Sequence, residues 1–137
     1  MVFEESPESF WGKYAKFAIP VELLPSPYGY ALIEALTPLG PIYAFDRGSP
    51  PTPVGRHDAL FAAHLQKFRI RAAPAGLVMK PKGQLLLSGK IKHQLADGTY
   101  LYDIGIPFIL NSYERLEPGI GVEVVTAPPL MLFRDEG

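Results

Sequence analysis

The stretch IKHQLADGTYLYDIGI, residues 91–106, decides the fold class of this chain. At its centre is the dipeptide Asp97–Gly98, and apolar and polar residues alternate on both sides of it. Asp-Gly between two alternating runs is the strongest short-range signal of a β-hairpin, because these residues tolerate the positive φ angles of a two-residue turn. The sequence therefore predicts two antiparallel strands joined at this dipeptide.

A two-residue turn also fixes a register for the hairpin. It sets Leu95 opposite Tyr100, His93 opposite Tyr102, Lys92 opposite Asp103 and Ile91 opposite Ile104. Successive side chains point to opposite faces of a sheet, so each face can be written down. We predict a largely buried face with Ile91, His93, Leu95, Tyr100, Tyr102 and Ile104. We predict a mostly solvated face with Lys90, Lys92, Gln94, Leu101 and Asp103.

Short apolar runs bounded by turn residues predict further strands on both sides of this hairpin. They are FAIPVELL, GYALIEAL, PIYAF, KFRIRA, GLVM, PFILN, GVEVV and LMLFR, and the first strand of the hairpin extends back over QLLLSGKIKHQL. The chain has 15 prolines in 137 residues. Proline neither continues a helix nor donates to a β-ladder, so this content favours short elements joined by stiff turns. We predict one mainly β domain, a barrel or sandwich of about eight short antiparallel strands with one or two short helices.

The N-terminal segment SPESFWGKYAKF, residues 6–17, predicts a short helix. Ser6 can cap it and Pro7 suits its first position. Its spacing puts four aromatic side chains on one side, Phe10, Trp11, Tyr14 and Phe17. Two interpretations stay open: the helix lies on the core of its own chain, or the rings form an arm that docks on another subunit. We divide the chain into this arm or helix, 1–17, and a β domain, 18–137.

The segment HDALFAAHLQKF, residues 57–68, predicts a helix within the β domain. An apolar stripe at helical spacing supports it, formed by Leu60, Phe61, His64, Leu65 and Phe68. We place this helix near residues 57–67. The chain then changes period, because in KFRIRA the apolar and basic side chains alternate as in a strand.

Charge divides the sequence into two parts. Residues 59–96 hold seven basic residues and no acidic one, whereas the remainder holds six basic and fourteen acidic residues. The net charges are therefore +7 and −8. The seven basic residues are Lys67, Arg69, Arg71, Lys80, Lys82, Lys90 and Lys92. Strand spacing puts neighbouring members on one side of the backbone, so we treat them as a candidate binding surface for an anion or a partner.

The sequence lacks the residues or motifs that several kinds of site require. The chain has no cysteine, which excludes disulfides, thiolate metal sites and cysteine nucleophiles. No GxSxG motif or phosphate-binding glycine loop occurs. His57, Asp58 and His64 are close in sequence and His93 is a distant fourth candidate, but their spacing is not that of a zinc site. We expect no catalytic residues, no metal and no cofactor.

The best remaining hypothesis is a non-enzymatic assembly protein. Opposite charges on one molecule favour head-to-tail contacts between copies, or contacts with a neighbouring protein. A small β body with an aromatic arm and a proline-rich loop resembles the layout of many virion proteins, such as tail-tube, head–tail connector or decoration subunits. This resemblance implies a structural, homo-oligomeric role, with the seven basic residues meeting an acidic neighbour.

Two alternatives stay open. The basic strands could bind nucleic acid through phosphates, although a single-strand binder also needs aromatic rings beside the charges. A small enzyme of hot-dog type has a similar length. The chain has no apolar run long enough to span a membrane and no secretory signal. We therefore expect a cytoplasmic protein without membrane contact, or a virion component if the protein is viral.

Overall fold

The chain forms a mainly β fold in the computed structural model, which describes residues 6–24, 32–72, 74–79 and 85–135. Within these residues there are one α-helix, one 3-10 turn over Ala15–Phe17 and nine strands. The elements are α1 Pro7–Tyr14, β1 Ile19–Leu24, β2 Leu32–Thr37, β3 Gly40–Asp46, β4 Gly55–Ile70, β5 Gly76–Met79, β6 Leu85–Ala96, β7 Thr99–Asp103, β8 Pro107–Asn111 and β9 Gly121–Arg134. The prediction of a β-rich barrel or sandwich with one or two short helices is confirmed.

The two long strands β4 and β9 form an antiparallel pair that runs through the whole sheet. We call this pair the spine. At one end β1, β2 and β3 connect the free edge of β4 to that of β9. At the other end β8, β7 and β6 do the same. Eight strands thereby close a ring, and β5 pairs with the outer edge of β6.

Alternation of side chains along the strands creates one continuous core inside this ring. In β1, Val21 and Leu23 point inward, and β2 and β3 contribute Ile33 and Ile42 from every second position. At the other end the core includes the fully buried ring of Tyr102. Burial of apolar area of this kind is the main stabilising contribution to a β fold.

Helix α1 covers part of the outer face of the sheet. The Ser6 side chain accepts a hydrogen bond from the Ser9 backbone N–H at 3.2 Å and caps the helix. Phe10 is fully buried and stacks on Phe133, with ring centroids 4.1 Å apart. Trp11, Tyr14 and Phe17 pack against the same cluster. The helix thus lies on its own chain, and the docking of these four rings on another subunit stays a prediction.

The prediction of a helix near residues 57–67 is wrong, because this segment belongs to strand β4. Side chains at alternate positions of β4 enter different clusters: Phe61 points into the core, whereas Leu60 lies under α1. A strand buried on both faces has a continuous apolar run instead of an alternating one. Periodicity cannot distinguish such a run from a buried helix.

The predicted hairpin is present, but its predicted register is wrong. Ala96 pairs with Thr99 around the turn, where Gly98 has a φ of 74°. Two β-bulges in β6 then shift the pairing, so that Gln94 faces Tyr100, His93 faces Leu101, Ile91 faces Tyr102 and Lys90 faces Asp103. Each bulge inserts an unpaired residue. As a result His93 is exposed and Leu101 lies buried under α1.

Candidate functional sites

Three of the predicted basic residues lie on one outward face at the far end of the spine. Arg69 pairs in register with Glu123 of β9, and Glu123 pairs with Ser88 of β6. Two residues further along the chain, the backbone N–H of Arg71 donates to the Gly121 carbonyl. Gly121 in turn pairs with Lys90 of β6. The guanidinium groups of Arg69 and Arg71 lie 2.7 and 3.6 Å from the two carboxylate oxygens of Glu123.

Lys67 and Lys92 are exposed near these residues, and we call the set of Lys67, Arg69, Arg71, Lys90 and Lys92 the basic face. Lys90 and Lys92 line an open groove of about 720 Å³ together with Asp103 and several glycines. With Glu123 and Asp103 as its acids, the basic face has a net charge of +3. Lys80 and Lys82, the other two members of the predicted set, lie outside the described residues.

Aromatic side chains near the basic face point inward. Tyr102 is buried and its hydroxyl donates to the Val122 carbonyl at 2.7 Å. Phe68 packs against the core. The large aromatic side chains exposed among the described residues, Tyr43, Phe45 and Tyr113, belong to other parts of the surface. The basic face therefore carries charge without rings on which bases could stack.

A second surface of interest is the outward side of β2 and β3, which we call the β2–β3 face. Its cross-strand pairs are Leu32 with Phe45, Glu34 with Tyr43, and Leu36 with Pro41. Leu36, Tyr43 and Phe45 are 37, 43 and 38% exposed, although the inward residues of both strands already fill the core. The Tyr43 hydroxyl donates to a Glu34 carboxylate oxygen at 3.3 Å. This hairpin is thus apolar on both sides, with a single carboxylate in the middle of its outer side.

The third site is a cavity of about 570 Å³ beside the uncovered part of the sheet. Strands β4, β8 and β7 place His64, Asn111 and Thr99 in one row, as direct register partners. This row continues the face that α1 covers at Leu101 and Ile109. Beyond the helix, the side chains of this face change from apolar to polar.

The wall of the cavity is fixed by hydrogen bonds from the loop after β8. The Ser112 backbone N–H donates to the Gly98 carbonyl at 3.0 Å, and the Leu116 N–H donates to the Tyr100 hydroxyl at 3.1 Å. Ser112 Oγ donates to the Glu114 carbonyl at 2.7 Å. The loop therefore holds a defined position against the β6–β7 turn. The lining residues are His64, Leu65, Gln94, Asp97, Gly98, Tyr100, Asn111, Ser112, Tyr113, Glu114 and Arg115.

Two groups in the cavity have unusual environments. Asn111 is 2% exposed; its Oδ1 accepts a hydrogen bond from Thr99 Oγ1 at 3.1 Å, and its Nδ2 has no partner within the described structure. Burial lowers the pKa of His64 below its ordinary value of 6.5, so the imidazole is neutral at pH 7. A neutral imidazole offers both a donor and an acceptor.

Sequence reasoning did not find this cavity. In the sequence, His64 belongs to the apolar stripe of a predicted helix, Asn111 ends the run PFILN, and Thr99 belongs to the connection of the predicted hairpin. The sequence still contains a signal for this site. Each of the three polar residues directly follows or precedes a run of buried apolar residues in its strand, and the three are register partners. That signal becomes visible only when the order of β4, β8 and β7 is known.

Neither a metal cluster nor a membrane helix is found in the described part of the chain. No group of three or more His, Asp or Glu side chains is placed to hold an ion there. Among the same residues, no helix combines the length and the apolar character that a transmembrane span requires. Comparisons with protein-family models, with curated proteins and with solved structures gave no match.

Proposed function

We propose that the protein is a non-enzymatic assembly subunit whose β2–β3 face binds the basic face of another copy. The observation that carries this proposal is the exposed apolar side of β2 and β3 at Leu36, Tyr43 and Phe45. Contiguous apolar patches of this kind on a protein surface commonly mark interaction sites. A virion is one setting for such a subunit, consistent with the layout of the sequence.

The patch is large enough for the centre of an interface but not for all of it. The two strands β2 and β3, of six and seven residues, have an outward face of roughly 10 by 20 Å, or about 200 Å². A stable interface covers about 800 Å² on each partner. The remainder must come from a polar rim, so we expect association in the micromolar range.

Glu34 favours a head-to-tail contact over a symmetric one. Its carboxylate lies in the central row of the β2–β3 face, between the Leu32–Phe45 and Leu36–Pro41 pairs. In a two-fold contact through this face, two Glu34 carboxylates would approach each other and lose water, which is unfavourable. A partner that brings a cation relieves this cost, and the basic face carries a net charge of +3.

The β2–β3 face and the basic face lie at different positions along the spine, as repeated head-to-tail contacts between copies require. β3 pairs with β9 at Met131 and Leu132, whereas the basic face lies along β9 near Glu123. The separation is about eight residues, or roughly 26 Å along the strand. Different patches at different ends of a molecule give heterologous contacts, which build rings or open filaments.

Light scattering over a series of protein concentrations tests the proposal. The wild type should gain mass from about 10 to about 200 μM and lose it when salt rises from about 0.05 to about 0.5 M. Tyr43→Lys removes a ring from the patch and repels the basic face, and should give a monomer. Tyr113→Lys makes the same change on a distant loop and should assemble normally. A wild type that stays monomeric under all these conditions overturns the proposal.

A second substitution distinguishes the two geometries. Glu34→Gln removes the central charge, so it should weaken a head-to-tail contact and reduce its dependence on salt. It should strengthen a symmetric contact, because it removes the repulsion between the two carboxylates. Stronger association of the Glu34→Gln variant would therefore contradict the head-to-tail arrangement.

A further inference from the structure

The amide of Asn111 has hydrogen-bonding capacity that the described protein does not use. With Nδ2 unpartnered, the buried donor costs about 1–3 kcal/mol of desolvation. Asn111 belongs to the lining of the cavity, so this unmatched donor lies at its wall. Such a group in a folded protein indicates an ordered water or a ligand.

The groups around this amide favour a partner that both donates and accepts. Asp97 and Glu114 bring carboxylates, which only accept, and Gln94 brings a second amide. A hydroxyl group donates one hydrogen bond and accepts others, so a ligand with several hydroxyls can bond to the two carboxylates and the two amides together.

Charge argues against an anionic ligand. The lining contains two carboxylates, Asp97 and Glu114, and one cation, Arg115. The Arg115 guanidinium also lies 3.5 Å from Glu117, which is outside the cavity. With His64 neutral, the cavity has no excess of positive charge to offset the desolvation of a phosphate or a carboxylate.

Size and shape agree with a small polar molecule. A volume of about 570 Å³ lies in the range of ligand sites, and one or two sugar rings fit within it. Tyr113, 90% exposed, supplies an aromatic ring in the lining on which the C–H side of a sugar can pack. The loop from Ser112 to Leu116 is held by hydrogen bonds before any ligand binds, which limits the entropy lost on binding.

We infer that the cavity between β4, the β6–β7 turn and the loop after β8 binds an uncharged mono- or disaccharide, with the Asn111 amide bonding to a sugar hydroxyl. This site is separate from the β2–β3 face and the basic face. It adds small-molecule recognition to the proposed assembly function and does not depend on it.

Nuclear magnetic resonance titration with glucose, maltose, glucosamine and glucose 6-phosphate tests this inference. With the uncharged sugars, the side-chain amide of Asn111 and the backbone of residues 94–99 and 111–115 should shift, with a dissociation constant of about 1 mM. Glucose 6-phosphate should bind at least about fivefold more weakly, because the cavity lacks excess cations. Glucosamine tests whether the carboxylates prefer a cation.

Variants connect the binding to Asn111. The double variant Thr99→Val with Asn111→Leu should keep the dispersed spectrum of the fold and weaken maltose binding at least about tenfold. Tyr43→Lys should bind maltose like the wild type, which separates this site from assembly. If neither glucose nor maltose causes a shift at about 50 mM, the inference is overturned and water satisfies Asn111. Tightest binding of glucose 6-phosphate, or full binding by the double variant, overturns it equally.

Discussion

Two buried polar clusters in the same sheet differ in whether all their polar side-chain atoms have hydrogen-bond partners. Asp46 and Arg134 are joined across β3 and β9, with Arg134 Nη2 3.0 Å and Nε 3.1 Å from the carboxylate oxygens. Thr99 and Asn111 are joined by one hydrogen bond, and an amide atom is left over. In the first cluster every buried side-chain polar atom has a partner among the described residues, whereas Nδ2 of Asn111 in the second has none. The difference separates a structural pair from a candidate binding site.

The Asp46–Arg134 cluster also organises the loop that follows β3. Asp46 accepts hydrogen bonds from the Gly48 N–H at 2.9 Å and the Thr52 hydroxyl at 2.6 Å, and Arg134 donates to the Ser49 carbonyl at 2.8 Å. Burial alone would raise the pKa of Asp46. The hydrogen bonds from Arg134, Thr52 and Gly48 outweigh burial and hold this pKa below its ordinary value.

The largest expected effect follows from breaking the satisfied cluster. Arg134→Met leaves the Asp46 carboxylate buried without its cation, so the free energy of unfolding should fall by about 3–5 kcal/mol. Arg115→Met removes an exposed guanidinium and should change it by less than about 0.5 kcal/mol. Urea denaturation measures both. Equal small losses would show that the Asp46–Arg134 pair is not a structural cluster.

A smaller effect is expected for a buried hydroxyl with a single bond. Tyr102→Phe removes the hydrogen bond to the Val122 carbonyl and leaves that acceptor buried, so the loss should be about 1–2 kcal/mol. Tyr113→Phe is the matched control on a 90% exposed ring and should change the free energy of unfolding by less than about 0.5 kcal/mol. A neutral Tyr102→Phe would mean that water replaces the lost partner.

Asp46 and His64, the register partner of Asn111, should respond to acid in different ranges of pH. The pKa of His64 is lowered in the folded state, so the unfolded chain binds the proton more readily and stability falls as the pH drops below 6.5. The pKa of Asp46 is also lowered, and its contribution is lost only as the pH falls below 3.8. Denaturation between about pH 7.5 and about pH 5 should therefore show a slope that His64→Gln reduces. An unchanged slope would exclude His64 as its source.

The Thr99–Asn111 pair should contribute little to the stability of the fold. Replacing both members of the unsatisfied pair, as Thr99→Val with Asn111→Leu, removes a buried donor that has no partner in the chain. The free energy of unfolding should stay within about 1 kcal/mol of the wild type or increase. A loss of about 3 kcal/mol or more would show that the Thr99–Asn111 pair is structural, like the Asp46–Arg134 pair.

The sequence was informative where a local pattern alone determines the structure. Alternation predicted the β fold, Asp97–Gly98 marked the hairpin, and Ser6 with Pro7 marked helix α1. It failed for β4, since Leu60 and Phe61 are buried on opposite faces and together appear helical. It also failed for the hairpin register, because the bulges at Lys92 and Leu95 have no glycine or proline to mark them.

The candidate sites show the same limit. Alternation in KFRIRA was enough to expect Arg69 and Arg71 on one side, and they share Glu123 there. That carboxylate lies 54 residues from Arg69 in sequence, so no local pattern could reveal it. The cavity needs three strands in the right order, and only the tertiary structure provides this order.

The spine makes both ends of the molecule dependent on the same two strands. The β1–β3 end and the β6–β8 end each complete their hydrogen bonding on β4 and β9. We therefore expect one cooperative melting transition, with amide hydrogens of β4 and β9 among the last to exchange. Turns at the periphery can change length during evolution, whereas a single inserted residue in the middle of β4 would displace the pairing at both ends at once.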